Sequence, residues 1–118
     1  MSRRTQRIAE QLKSEIARVL LEEVTDPRVG MVTLTRVDCA PDLSNAFVYW
    51  STLEAGTDES LESVAAGLES AAAFVRGRLA RVLPLRRTPR LSFRFDPTLE
   101  QGADMLSLLR RIADDKSS

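Results

Sequence analysis

Between the second and third β-type runs of this 118-residue chain lies one long helical run, with apolar residues from Leu61 to Val82, stopping at Pro84. That run constrains the fold more than any other feature. A strand reached through such a crossover does not make a hairpin with the strand before it. Parallel pairing through a right-handed crossover is expected instead. Leu61, Val64, Ala65, Leu68, Ala71, Ala72, Val75, Leu79 and Val82 share one stripe, as a buried helix face requires. Phe74 falls off that stripe by about a quarter-turn at 100° per residue.

The rest of the chain fits around this crossover. Residues 3–24 carry Ile8, Leu12, Ile16, Val19 and Leu20 at three- and four-residue intervals, so a first helix is expected up to Asp26-Pro27, where helical geometry fails ahead of the proline. MVTLTRVDC at 31–39 is β-branched, and its alternation slips near Thr35-Arg36-Val37, which marks a bulge. APDLSN at 40–45 is turn chemistry and AFVYWSTL at 46–53 a second strand, so the first two strands are expected to form an antiparallel hairpin. RLSFRFD at 90–96 alternates, with Leu91, Phe93 and Phe95 on one face, toward a core, and Ser92 and Arg94 on the other. Residues 98–113, with Met105, Leu108, Leu109 and Ile112, are expected to form a short C-terminal helix ahead of a loose tail. The architecture is α+β: a three-stranded mixed sheet with helices on one face, the other face open.

The residue inventory narrows function. The chain contains no histidine, which removes the commonest general base and metal ligand. Cys39 is the single cysteine, so no internal disulfide or cysteine zinc site is available. Neither G-x-x-x-x-G-K-[ST] nor G-x-G-x-x-G occurs. Met1, Met31 and Met105 read as core filler or surface residues. No catalytic set, metal site or cofactor is expected. No apolar run is long enough for a membrane span, and the N-terminus lacks the pattern of a secretory signal. A reduced, cytoplasmic compartment is the simplest expectation.

Charge is the informative feature. Lys and Arg number 17, as do Asp and Glu. Yet Asp38 to Glu69 holds seven acids and no base, and Ser70 to Phe95 seven arginines and no acid. Arg76, Arg78, Arg81, Arg86, Arg87 and Arg90 span the end of the long helix, the following loop and the last strand. Arg3, Arg4, Arg7 and Arg18 join that surface if the first helix packs beside the long one. Such asymmetry points to a polyanion. Arginine meets phosphate with two parallel hydrogen bonds and stacks on unpaired bases. Gly77 opens a gap at the helix surface where a backbone can come close. From clustering alone two readings stand: a nucleic-acid binder, or a protein-interaction module whose arginine-rich face docks an acidic partner. Phe47 and Tyr49 are expected on the open sheet face. No RNP-like signature surrounds them, so packing against the C-terminal segment is the expected role. Asp96 and Glu100 read as helix capping around Pro97-Thr98 rather than as a carboxylate pair.

Seven segments together carry a family resemblance: R-I-A-E-Q-L-K-S-E-I-A at 7–17, D-P-R at 26–28, V-T-L-T-R-V at 32–37, P-D-L-S-N-A-F-V-Y-W-S at 41–51, F-V-R-G-R-L at 74–79, L-R-R-T-P-R-L-S-F-R-F-D at 85–96 and L-E-Q-G at 99–102. In this order and spacing the chain resembles the bacterial ribosome-binding factor A proteins over about residues 3–110. The resemblance implies a KH-like domain of the second topological type over 3–96, helix-strand-strand-helix-strand. The C-terminal helical segment and tail over 97–118 pack on it or trail from it. It also implies a kink in the long helix at Ala71, Ala72 and Ala73. Ala71 fits the family pattern, whereas Ala73 stands where glycine is usual. Alanine favours an unbroken helix by ~1 kcal/mol over glycine, so Phe74 should report which form is taken.

The implied function is non-enzymatic. Such a protein binds the immature small ribosomal subunit and its rRNA, assists late rRNA processing and maturation, and serves adaptation to cold. The arginines would grip rRNA backbone. Acids such as Glu59 and Glu62 would face solvent or orient the domain by repulsion. No small-molecule substrate and no membrane enter this picture, and the free protein is expected to be a monomer.

Overall fold

The computed structural model describes residues 3–30, 32–52 and 58–97. Helix α1 runs from Arg3 to Glu22, burying Thr5, Ile8, Ala9, Leu12, Ile16, Val19 and Leu20. A 3₁₀ turn over Pro27–Val29 follows, capped by Asp26, whose side chain accepts the Arg28 N–H. Strand β1 (Thr33–Cys39) and strand β2 (Asn45–Ser51) form the antiparallel hairpin. Its turn is held by Asp42, which accepts the Ser44 amide at 3.0 Å and the Ser44 hydroxyl at 2.7 Å. Leu43 sits there at φ 60°, a left-handed conformation that disfavours an apolar side chain. Leu43 nonetheless packs against the core, so tertiary contact outweighs the local preference.

Helix α2 (Asp58–Val82) crosses back to strand β3 (Arg90–Phe95), which pairs parallel with β2. The sheet order is β1-β2-β3. This is the helix-strand-strand-helix-strand order of a type II KH-like domain. The alternation slip marks a real irregularity: the β1/β2 register shifts between Leu34 and Arg36, leaving Thr35 as the extra residue. The core lies between the helices and one sheet face. Leu12, Ile16 and Val19 from α1 meet Leu68, Val75 and Leu79 from α2 over Val37, Val48, Trp50 and Leu91. Trp50 and Phe95 close its end edge-to-face, with centroids 5.2 Å apart.

The kink expected at Ala71, Ala72 and Ala73 is not an interruption: α2 is one continuous helix through all three residues. Phe74 remains 43% exposed, as an unbroken helix dictates. Alanine at 73 in place of glycine supplies the physical reason. Gly67 is the glycine the packing requires. A Cβ there would lie 2.9 Å from Arg28 Cβ and 3.0 Å from Val29 Cγ1, so its bare backbone lets the 3₁₀ turn press against α2. The expected C-terminal helix over 98–113 lies outside the described residues. No helix among the described residues is long and apolar enough to cross a membrane.

Candidate nucleic-acid interface

The first turns of α1, the hairpin turn and the loop after α2 converge on one cavity. It has a volume of about 680 Å³, and Arg4, Ile8, Asp42, Leu43, Arg86 and Arg87 line it together with Pro84 and Leu85. Arg4 comes from one end of the sequence and Arg86-Arg87 from the other, so the packing of α1 beside α2 unites them. Asp42 is the acid among them. Its carboxyl is held below the usual range, first by the Ser44 hydroxyl, then by the Ser44 amide, with Arg87 adding a smaller pull. It therefore stays an anion beside Arg87 without cancelling the cavity's positive charge.

The other expected arginines divide. Arg76 is exposed and donates from Nη2 to the Thr88 carbonyl at 2.9 Å, which ties the loop to the end of α2. Arg81, Arg86, Arg87 and Arg90 are exposed, as are Arg3, Arg4 and Arg7. None of these seven makes an ion pair among the described residues. Among the described residues nothing lies within 4 Å of where a Cβ at Gly77 would sit, so they leave the helix surface open there.

Two arginines depart from the expectation of one continuous basic surface. Arg78 Nε meets Glu23 Oε1 at 3.1 Å, and its guanidinium lies 5.2 Å from the Phe74 ring centre. Arg78 is thus partly neutralised by the end of α1. Arg18 is held in a cluster with Glu15, Glu22 and Glu23 at 3.1, 3.3 and 3.3 Å and adds nothing to the basic surface. Helix packing explains both. The acids near the end of α1 face the middle of α2, while the start of α1 faces the loop after it. On the acidic stretch, Glu62 and Glu69 are exposed.

Sequence reasoning missed how the open sheet face is organised. Arg36 of β1 lies over the Tyr49 ring at 4.1 Å from its centre, and Arg94 of β3 over the Phe47 ring at 4.4 Å. Phe47, Tyr49 and Arg94 are expected on this face; Arg36 and the stacking of both arginines on the rings are not. The Arg36 stack depends on the hairpin register, which sets Arg36 opposite Tyr49. Asp96 has a partner that the sequence does not announce. Its carboxylate accepts from the Thr35 hydroxyl at 2.6 Å.

Comparison with known proteins bears on this geometry. The family model described as ribosome-binding factor A matches residues 4–109. The chain belongs to the ribosome-binding factor A family. A curated member from Pseudomonas entomophila is 43% identical over 115 residues, covering 96% of this chain and 86% of its own length. The crystal structure of ribosome-binding factor A from Thermus thermophilus superposes with a TM-score of 0.68 at 27% identity, over 77% of this chain and 93% of that one. A homology model of the Thermus thermophilus factor, fitted into a cryo-electron-microscopy map of a 30S complex, superposes with a TM-score of 0.61. It is 27% identical and covers 79% of this chain and 96% of its own. The family's α+β, KH-like fold is the fold described above.

Proposed function

We propose that this chain is a non-enzymatic assembly factor that binds the immature small ribosomal subunit through rRNA, supports late rRNA processing and maturation, and contributes to growth in the cold. The observation that carries the reading is the convergence of Arg4, Arg86 and Arg87 on one cavity, flanked by exposed arginines that make no ion pair among the described residues. Such cations cost little to present to phosphate, since no ion pair with a described residue must first be given up. Each phosphate they neutralise releases counterions, whatever the base sequence. Family membership and the 30S complex of the Thermus thermophilus relative support the same partner. The protein acts by binding energy alone, holding one rRNA conformation in preference to others through its differential affinity for them. It works in the cytoplasm and is a monomer when free.

Co-sedimentation with mature and immature small subunits across a salt series tests this. Binding should favour immature particles, fall with salt and be lost on nuclease treatment. Reversing Arg78, Arg81, Arg86 and Arg87 to Glu should weaken it, and the log–log salt slope should flatten by ~1 for each phosphate that is no longer neutralised. Unchanged binding with all four reversed removes the arginine block from the mechanism. Retention of a nuclease-resistant acidic protein instead of rRNA would replace the reading with a protein-docking one.

A further inference from the structure

We infer that the sheet face turned away from both helices, uncovered by any described residue beyond the strands themselves, is a second RNA site, a stacking platform for unpaired bases, separate from the arginine cavity at the helix ends. The inference rests on the rRNA reading above and adds what the second face recognises. Phe47 and Tyr49 stand two residues apart on β2, both directed away from the core, since Ala46, Val48 and Trp50 between and beside them are buried. Each ring is covered by a guanidinium from a different neighbouring strand, Arg36 over Tyr49 and Arg94 over Phe47. Both arginines are exposed. The register places Arg90 on the same face as Arg94, across from Asn45. Asp38, which lies 3.4 Å from Arg36, and Asp96, whose charge also acts on Arg36, are the acids beside that face, against Arg36, Arg90 and Arg94.

The chemistry of the pairs selects the occupant. A guanidinium lying on an aromatic ring keeps its second π face for a ligand; Arg94 also offers its N–H edge, making no ion pair among the described residues, whereas Arg36 shares its edge with Asp38. An unpaired base takes the face by stacking, and the adjacent phosphate takes the edge through paired hydrogen bonds. An acidic peptide would use the edge alone and leave the stacked planes idle. The excess of arginine over acid on this face matches a polyanion, and the two platforms side by side match successive bases of a single strand. A double helix presents no free base faces, so the platform discriminates against it. With the arginine cavity at the helix ends, the domain would hold two RNA segments at once, one by its backbone and one by its bases.

The test uses a short fluorescent oligouridylate with the full chain. The variant Arg36→Lys/Arg94→Lys keeps both charges and removes both planes. It should bind the oligouridylate about tenfold more weakly, with an unchanged salt slope and with native near-ultraviolet dichroism from Trp50. A photo-crosslinking phenylalanine analogue in place of Phe47 should attach to the oligouridylate. Undiminished affinity in the lysine variant overturns the inference. So does a crosslink that forms only with the chain's own residues 98–118 or with a protein. Arg86→Glu/Arg87→Glu separates the two readings: loss of subunit binding in it with no effect of the lysine pair on oligouridylate leaves the cavity and removes the platform. The converse result leaves the platform and removes the cavity.

Discussion

Thr35 and Asp96, 61 residues apart, are joined by a hydrogen bond of 2.6 Å from the Thr35 hydroxyl to Asp96 Oδ2. The bond exists because the β1 bulge releases Thr35 from the ladder. Asp96 continues the β3 pairing through its amide, which donates to the Trp50 carbonyl at 2.7 Å. The first and last strands, which never pair with each other, are thereby fastened at one end of the sheet. Thr35→Val keeps the side-chain shape and removes the donor from a carboxylate that is buried. It should cost about 0.5–1.5 kcal/mol, since the carboxylate loses one of its hydrogen bonds. Denaturant titration of both proteins measures this. A loss below a few tenths of a kcal/mol would show that the bulge is a local accident of β1.

The Asp26–Arg28 pair gives the fold an acid-sensitive point. The Arg28 guanidinium, then the Arg28 amide, hold the Asp26 carboxyl down from 3.8 to about 2. A carboxyl depressed in the folded state stabilises the fold above its unfolded pKa, and that contribution fades as pH falls through the folded one. Asp26→Asn retains a capping acceptor but not the charge. It should melt below the native protein at neutral pH, and the gap should close as pH falls from 3.8 toward about 2. Thermal melts at stepped pH read the gap directly. A gap that persists at the lowest pH would assign the effect to cap geometry and not to the ion pair.

Two glycines in one helix should respond to alanine with opposite signs. At Gly67 the added methyl meets Arg28 and Val29 at about 3 Å, and overpacking of that kind costs about 1–3 kcal/mol. The helix-propensity gain of ~1 kcal/mol offsets part of this. Gly67→Ala should therefore be neutral to destabilising by up to ~2 kcal/mol. At Gly77 no described residue would lie within 4 Å of the added methyl, so Gly77→Ala should stabilise by up to ~1 kcal/mol. If an RNA backbone approaches α2 there, the same change should weaken subunit binding while raising the melting temperature. A Gly77→Ala protein that is both more stable and fully competent in binding would show that the gap serves no ligand.

What was legible in the sequence is what depends on near neighbours. The α1 stripe from Ile8 to Leu20, the slip at Thr35 and the alternation from Leu91 to Phe95 follow from local periodicity, and the structure places each where that periodicity puts it. The parallel β2/β3 pairing followed from the length of the crossover. Contacts between distant segments were not legible. Nothing near Arg78 announces Glu23, because the pair depends on how α1 lies along α2. Nothing near Arg4 announces Arg86 and Arg87, for the same reason. The Arg36–Tyr49 and Arg94–Phe47 stacks needed the hairpin register and the parallel register together. Charge clustering located the basic region but not the partners that divide it.

That division makes Arg78 a test of which cations are free to act. Its Nε–Glu23 bond of 3.1 Å must open before the guanidinium can meet a phosphate. Glu23 is shared with Arg18 at 3.3 Å, and the Arg78 side chain is 38% exposed, so solvent screening limits the pair to no more than ~1 kcal/mol. Glu23→Gln should therefore lower stability only slightly. It should tighten subunit binding severalfold and steepen its salt slope by ~1, because one further cation becomes available to phosphate. Arg78→Gln should leave the salt slope close to that of the native protein, at a similar small cost in stability. Measuring both variants by denaturant titration and by co-sedimentation across salt separates the roles. Should Glu23→Gln move the melting curve and leave the salt slope where it was, Arg78 belongs to the packing of α1 on α2, and the basic interface begins at Arg81.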